Sequence, residues 1–445
     1  MSKEIIIRSN STAVDFALLK NGKLIELHKQ NDSNKFNVGD IFLARTKKTI
    51  SGLNAAFLNV GYEKDAFLHY HDLGPKILSL IKFIKGVSSG KIKNFSLDRF
   101  HFESEINKEG SISDVISPNQ TILVQIIKEP ISTKGPRISS ELSFAGRFLV
   151  LIPFSNKISI SQKIESREEK SRLKRLVQSI KPKGFGVIVR TVAKDKKVAE
   201  LDKDLQNLHG HWIDLCKKIK GSPIPLKVQS EMNRSSSILR DIFNDSFTGI
   251  YVNQKSMYSE IKDYLKEIAP NKQSIVKLHQ TDTPIFEQYG VERQIKTAFG
   301  RTVTMSKGAY LIIEHTEALT VIDDNTGKNV GNTNLEETVF QNNIEAAEEV
   351  AHQLRLRDVG GIIVIDFVDM ERRENRDAVA NALRESLSRD KTRNQVFDIS
   401  ELGLVEMTRK RIGEGLLESF SEACADCEGT GHTLDGELVT GPQNS

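Results

Sequence analysis

The tripeptide Val-Ile-Asp occurs twice, at residues 321–323 and 364–366, and each time it closes an apolar run that reads as a buried strand. Between the two copies lies a single amphipathic stretch, about 335–357. Here Leu335, Val339, Ala347, Val350, Ala351 and Leu354 recur at helical spacing on one face. Strand, helix and strand in this order predict a right-handed βαβ crossover with parallel strands. Both aspartates then leave the same carboxyl edge, the edge at which open α/β sheets place their sites. Neighbouring strands run about 4.8 Å apart, so Asp323 and Asp366 are close enough to share one ion. Two such carboxylates repel unless a cation joins them, and a hard divalent ion such as Mg²⁺ suits the pair. The alternative is a turn in which the aspartates cap the following segment. An EF-hand is excluded, because the sixth loop position counted from Asp323 or Asp324 is Lys328 or Asn329 and not glycine. Asn325, two residues after Asp323, can hold a carboxylate or a phosphate by hydrogen bonding. Asp324 should point away from the ion and face solvent or cap a turn.

The rest of this region reads as strands near 302–305, 309–315 and 318–323, a helix over 374–389 and a strand in "TRNQVFDIS". At the other end of the chain, apolar Ile5–Ile7 precedes two alternating runs joined by Asn21-Gly22, a hairpin signal. Residues 37–73 form short apolar runs divided by glycines and polar turns, as in a small barrel. There Phe57 and Phe67 stand near Lys47, Lys48 and Lys64, a mixture of ring faces and positive charge that suits single-stranded nucleic acid; barrel core is the competing reading. Pattern loosens over 73–119, which reads as an insertion or long loop. Helices are expected at 165–181, 197–219 and about 234–244. The strand "FGVIVRTVA" delivers Arg190 and Thr191 at its end, and Trp212 and Cys216 read as packing residues.

At 445 residues the chain exceeds one ordinary core. A hydrophobic fraction of 38% and a charged fraction of 27% describe a soluble globular protein, and the net charge of +4 does not by itself announce nucleic-acid binding. No apolar run reaches the ~18 residues of a membrane span, and the N-terminus lacks a signal peptide's apolar core, so a cytoplasmic location is expected. Three cysteines are too few and too uneven for a disulfide framework. Cys424 and Cys427 form a CxxC pair, which supplies half of a tetrahedral zinc site; a symmetric partner chain would complete it, with a redox pair as the alternative.

The segments "ALTVIDDNTG", "LEETVFQNNIEAAEEVAHQLRLRDVGGIIVIDFVDM" and "GLVEMTRKR" closely resemble the catalytic core of the bacterial ribonuclease E/G family, and "CADCEGTGH" resembles its zinc knuckle. The resemblance implies an α/β multidomain chain, α+β overall. Its parts would be an RNase H-like domain (1–36 and 229–298) interrupted by an S1 (OB-fold) RNA-binding barrel (37–122) and a 5′-sensor region (123–228). A DNase I-like catalytic α/β subdomain (299–415) and a short zinc-link with C-terminal tail (416–445) would follow. It implies Mg²⁺-dependent endonucleolytic hydrolysis of single-stranded RNA, in rRNA maturation and mRNA decay, leaving 5′-phosphate and 3′-hydroxyl ends. Asp323 and Asp366 would hold the Mg²⁺, with Asn325 assisting. Phe57 and Phe67 fall where the family stacks RNA, and Arg190 and Thr191 where it holds a 5′-monophosphate. Gln162 and Lys163 stand where arginines are expected beside that pocket, which implies weaker sensing of the 5′ end. Lys391 and Arg393 are expected phosphate contacts near the aspartate edge. Cys424 and Cys427 would bind structural Zn²⁺ across a homodimer; the chain ends soon afterwards, which leaves assembly beyond the dimer open. A non-catalytic RNA-binding scaffold is the alternative function.

Overall fold

The structure is a computed structural model that describes residues 2–10, 13–31, 36–130, 134–230, 239–240, 243, 246–327, 335–388, 390, 392–411, 415–422, 424–427 and 431. The helix expected at about 234–244 falls mostly outside them. The chain divides into two compact units, Met1–Asp32 with Ser246–Ser445, and Ser33–Asp245.

In the unit Ser33–Asp245, strands Ile41–Ile50, Ala55–Asn59, Ala66–His69, Arg137–Ser139 and Thr121–Lys128 pair in that order. The last pairs back onto Ile41–Ile50, which closes an OB-like five-stranded barrel. Strand pleating decides which side chains enter it: Ala56, Leu58, Ala66 and Leu68 are buried, while Phe57 and Phe67 stand half-exposed on the outer face. Within 73–119, the helix Ile77–Ser88 sends Leu80, Phe83, Ile84 and Val87 into the apolar cluster that the barrel shares with the rest of this unit. A four-stranded sheet, Ile158–Ile160, Phe185–Val189, Leu149–Pro153 and Phe144–Ala145, extends the unit, with helices Arg167–Ile180 and Val198–Ile219. Trp212 and Cys216 are fully buried in the shared core, as expected, and burial pushes the Cys216 thiol up.

In the other unit, a five-stranded sheet runs in the order Val276–Leu278, Phe247–Val252, Lys3–Ser9, Ala13–Lys20, Lys23–Asn31. Its expected hairpin turns at Asn21 and Gly22, both at positive φ (50° and 78°), as a two-residue primed turn requires. A six-stranded sheet follows, ordered Thr302–Thr304, Tyr310–His315, Leu319–Asn325, Gly361–Asp366, Leu404–Arg409, Asn394–Ile399. The helices Leu335–Leu356 and Arg373–Ser388 cover one of its faces, where Ile322, Ile363, Ile365, Val405 and Met407 meet Val339, Val350, Leu354, Val379 and Leu383. Two details differ from the sequence reading. Leu335, assigned to the apolar helix face, is 70% exposed, because it opens the helix beyond the reach of the sheet. The strand Leu404–Arg409 was not anticipated; it lies between Gly361–Asp366 and Asn394–Ile399.

Candidate active site

The strands Leu319–Asn325 and Gly361–Asp366 are adjacent and parallel, and their register pairs Val321 with Val364 and Asp323 with Asp366. In a shared register both carboxylates rise from the same face, the one the helices leave uncovered. Asn325, two residues on and therefore on that face too, donates from Nδ2 to Asp323 Oδ2 at 2.9 Å. Burial, and then the charges of Asp323 and Asp369, raise the Asp366 carboxyl above the ordinary carboxylate range.

Asp324 corrects the expectation of a solvent-facing or capping residue. Alternation along the strand turns it to the helix side, where it is 5% exposed. Asn342 Nδ2 donates to both of its oxygens, at 3.1 and 3.0 Å. Burial pushes this carboxyl up to about 7; Asn342 opposes the shift and the charge of Asp323 adds to it. The loop after Asp366 is also tied to the helix. Asn343 Nδ2 donates to the Val368 carbonyl at 2.7 Å, and Glu336 accepts from the backbone of Glu371 and Arg372 and from Asn375. Sequence reading passed over Asn342, Asn343 and Glu336. The signal available was two adjacent amides set into a helical stripe between Val339 and the run Ala346, Ala347, Val350.

The donor set fits a hard divalent cation. Asp323 and Asp366 are two carboxylates placed side by side, Asp369 adds charge, and Mg²⁺ takes few carboxylates and keeps its waters. Among the described residues no group of three or more His, Cys, Asp or Glu side chains is gathered to hold a metal ion, so the aspartates here stand as a pair.

Phe57, Phe67, Lys163, Arg190 and Thr191 belong to the unit Ser33–Asp245. Phe57 and Phe67 are cross-strand partners with ring centroids 5.6 Å apart, edge to face, and Lys48 Nζ lies 5.4 Å from the Phe57 centroid. Neither ring enters the barrel core. Arg190 donates to the Gly146 carbonyl at 2.7 Å, and the Thr191 and Ser161 hydroxyls are 2.8 Å apart. Strands Ile158–Ile160 and Phe185–Val189 are parallel, so exposed Lys163 follows from the same sheet end as Arg190 and Thr191. Below them Asp204 accepts from the backbone N–H groups of Arg147, Phe148 and Leu149, which fixes the loop that Arg190 grips.

Lys391 lies outside the described residues. Arg393 is exposed but stands at the opposite sheet edge from the one expected. The strand Asn394–Ile399 starts beside Arg409, the partner of Gly361, whereas Asp366 pairs with Leu404. Five residues separate these positions, roughly 17 Å along a strand. The helix Arg373–Ser388 causes this, because it carries the chain back to the amino edge. There Arg409, 4% exposed, donates to Asp390 (2.7 Å), Asp358 (2.7 Å) and Thr392 (3.2 Å), which fixes the turn before Arg393. Cys424 is exposed and Cys427 half-buried on a turn. No described helix is long and apolar enough to cross a membrane.

Fold and site together define a mixed α+β protein with an OB-like barrel and a carboxylate-edged α/β sheet. The chain belongs to the Ribonuclease E/G family, whose model matches residues 143–412. It is 36% identical over 436 residues to Ribonuclease G of Haemophilus influenzae, covering 98% of this chain and 85% of that protein. Identity to Ribonuclease G of Escherichia coli (strain K12) is 33% over 439 residues, covering 99% and 86%. It is also 35% identical over 402 residues to Ribonuclease E of Synechocystis sp., covering 89% of this chain and 56% of that protein.

Proposed function

We propose that this chain is an endoribonuclease that hydrolyses single-stranded RNA with Mg²⁺ held by Asp323 and Asp366, leaving 5′-phosphate and 3′-hydroxyl ends. The observation that carries the reading is the in-register placement of the two aspartates on adjacent parallel strands. Family membership and the names of the relatives support the same class of reaction. Magnesium, when bound, supplies positive charge against the reacting phosphate and acidifies water. The remaining work falls to the chain's own side chains. Asn325 holds the Asp323 carboxylate in one orientation through its amide. Phe57 and Phe67 offer ring faces to unpaired bases. Arg190, Thr191 and Lys163 bind a 5′-monophosphate, for which a planar guanidinium and a short hydroxyl donor are suited. Substrates with that end are favoured, in rRNA maturation and mRNA decay within the cytoplasm. Structural Zn²⁺ joins two copies of the chain through Cys424 and Cys427.

Cleavage of a 5′-monophosphorylated, AU-rich single strand, with and without Mg²⁺, tests the reaction. Asp323→Asn and Asp366→Asn should each abolish cleavage while RNA binding survives; wild-type rates in either variant would overturn the proposal. Failure of the pure native protein to cleave would favour an RNA-binding scaffold. Cys424→Ser should shift the protein from dimer to monomer on size exclusion and remove bound zinc.

A further inference from the structure

We propose that Asn342 and Asn343 are positioning residues that set the separation of the two metal-binding carboxylates, each asparagine fastening one of the strand ends that carry them. The inference rests on the reading of Asp323 and Asp366 as the Mg²⁺ pair and adds to it the device that holds the pair in place.

The two asparagines are consecutive on the helix Leu335–Leu356, and both are buried against the sheet. Asn342 binds Asp324, the residue next to Asp323. Asn343 binds the carbonyl of Val368, two residues past Asp366. The strand Gly361–Asp366 ends at the aspartate, so the chain beyond it has no ladder partners to hold it. The amide of Asn343 gives that stretch a fixed anchor on the same helical turn that anchors the neighbouring strand. One rigid element therefore ties down both sides of the carboxylate pair, and a displacement of about 1 Å at such a site is enough to cost two orders of magnitude in rate.

The composition of the stripe supports a role beyond packing. Val339, Ala346, Ala347 and Val350 surround the two amides with apolar contacts. A carbonyl can only accept, so Asn343 must aim its amino group at Val368, and its Oδ1 is left buried with no partner among the described residues. Leucine would avoid that penalty if the position served stability alone. Asparagine is what the anchoring of Val368 needs.

The test uses Asn343→Leu, the Asn342→Asp and Asp324→Asn/Asn342→Asp variants, and Asp366→Asn as the reference for a lost ligand. Mn²⁺ uptake is followed by loss of the free-ion spin-resonance signal, cleavage by kcat, and RNA affinity by anisotropy without metal. Asn343→Leu should keep or raise the melting temperature and keep RNA affinity, yet weaken Mn²⁺ binding and lower kcat by about 10–100-fold. Asn342→Asp sets two carboxylates against each other and should lose Mn²⁺ binding. The double variant restores an amide-to-carboxylate bond with the roles exchanged and should recover it. Wild-type Mn²⁺ binding and kcat in Asn343→Leu, or a folded double variant that fails to recover, would overturn the positioning role. An unaltered Mn²⁺ profile in Asp366→Asn would instead sink the underlying assignment of the metal pair.

Discussion

Asn325 and Asp323 are joined by a hydrogen bond of 2.9 Å along one face of a single strand. The amide can donate only while the carboxylate stays in one rotamer, so it orients the oxygen left for a cation. Asn325→Ala should lower kcat by about 10–100-fold, the usual cost of removing a partner of a metal-binding side chain. The melting temperature should barely move. A full-rate Asn325→Ala enzyme at limiting Mg²⁺ would show that this bond orients nothing.

Phe57 and Phe67 touch each other outside the barrel core, so either can be truncated without opening a cavity. Alanine at each should weaken binding of a single strand by about 1–3 kcal/mol per base stacked. The double variant should fall short of the sum, since the rings are in contact. Anisotropy with an uncleavable strand measures this, and an unchanged dissociation constant would remove the rings from the RNA path.

Arg190→Ala should reduce the preference for a 5′-monophosphate over a 5′-triphosphate end. Loss of a charge-assisted hydrogen bond predicts a change of about ten- to hundredfold in relative kcat/KM. Internal cleavage of a circular RNA, which has no 5′ end, should be untouched.

Arg409→Met removes a buried guanidinium from its ion pairs with Asp390 and Asp358. Breaking one side of a buried pair costs about 3–5 kcal/mol, which corresponds to roughly 6–20 °C in melting temperature for a unit of this size. Thermal melts followed by circular dichroism would show it.

His352 provides a pH signature. Burial pushes its imidazole down to about 4, with Lys23 and Arg355 adding and Glu349 opposing. Between the ordinary imidazole value of 6.5 and about 4, the unfolded chain binds a proton that the folded chain refuses. Stability from the neutral ring is therefore complete above 6.5 and declines as pH falls towards 4. His352→Gln should narrow the gap between melting temperatures at pH 7.5 and pH 5.0; an unchanged gap would contradict the assignment.

Much of this site could be read from residues alone because the chemistry coincides with a strong local pattern. Two apolar strands ending on Asp323 and Asp366, with one helix between, admit few arrangements, and the register follows once the strands are parallel neighbours. What was missed depends on partners distant in sequence. Asp324 looked like a surface residue until its helix-side amide was known. Arg393 was assigned to the wrong edge because its place depends on how far the helix Arg373–Ser388 carries the chain back before the next strand begins. The strand Leu404–Arg409 ends on Arg409, a buried cation that reads as a surface residue when its two aspartates are out of view.

The alternation of Asp323 and Asp324 between two faces has a genetic consequence. One codon inserted or deleted between the turn at 316–318 and Asp323 would exchange their positions, sending the intended ligand under the helix and its neighbour into the opening. Substitutions within the strand can be graded in effect, but a change of length there is all or nothing. Such a change should be rescued only by a second, opposite change in the same strand. Length variation among functional descendants of this sequence should accordingly accumulate in the turns and spare these seven residues.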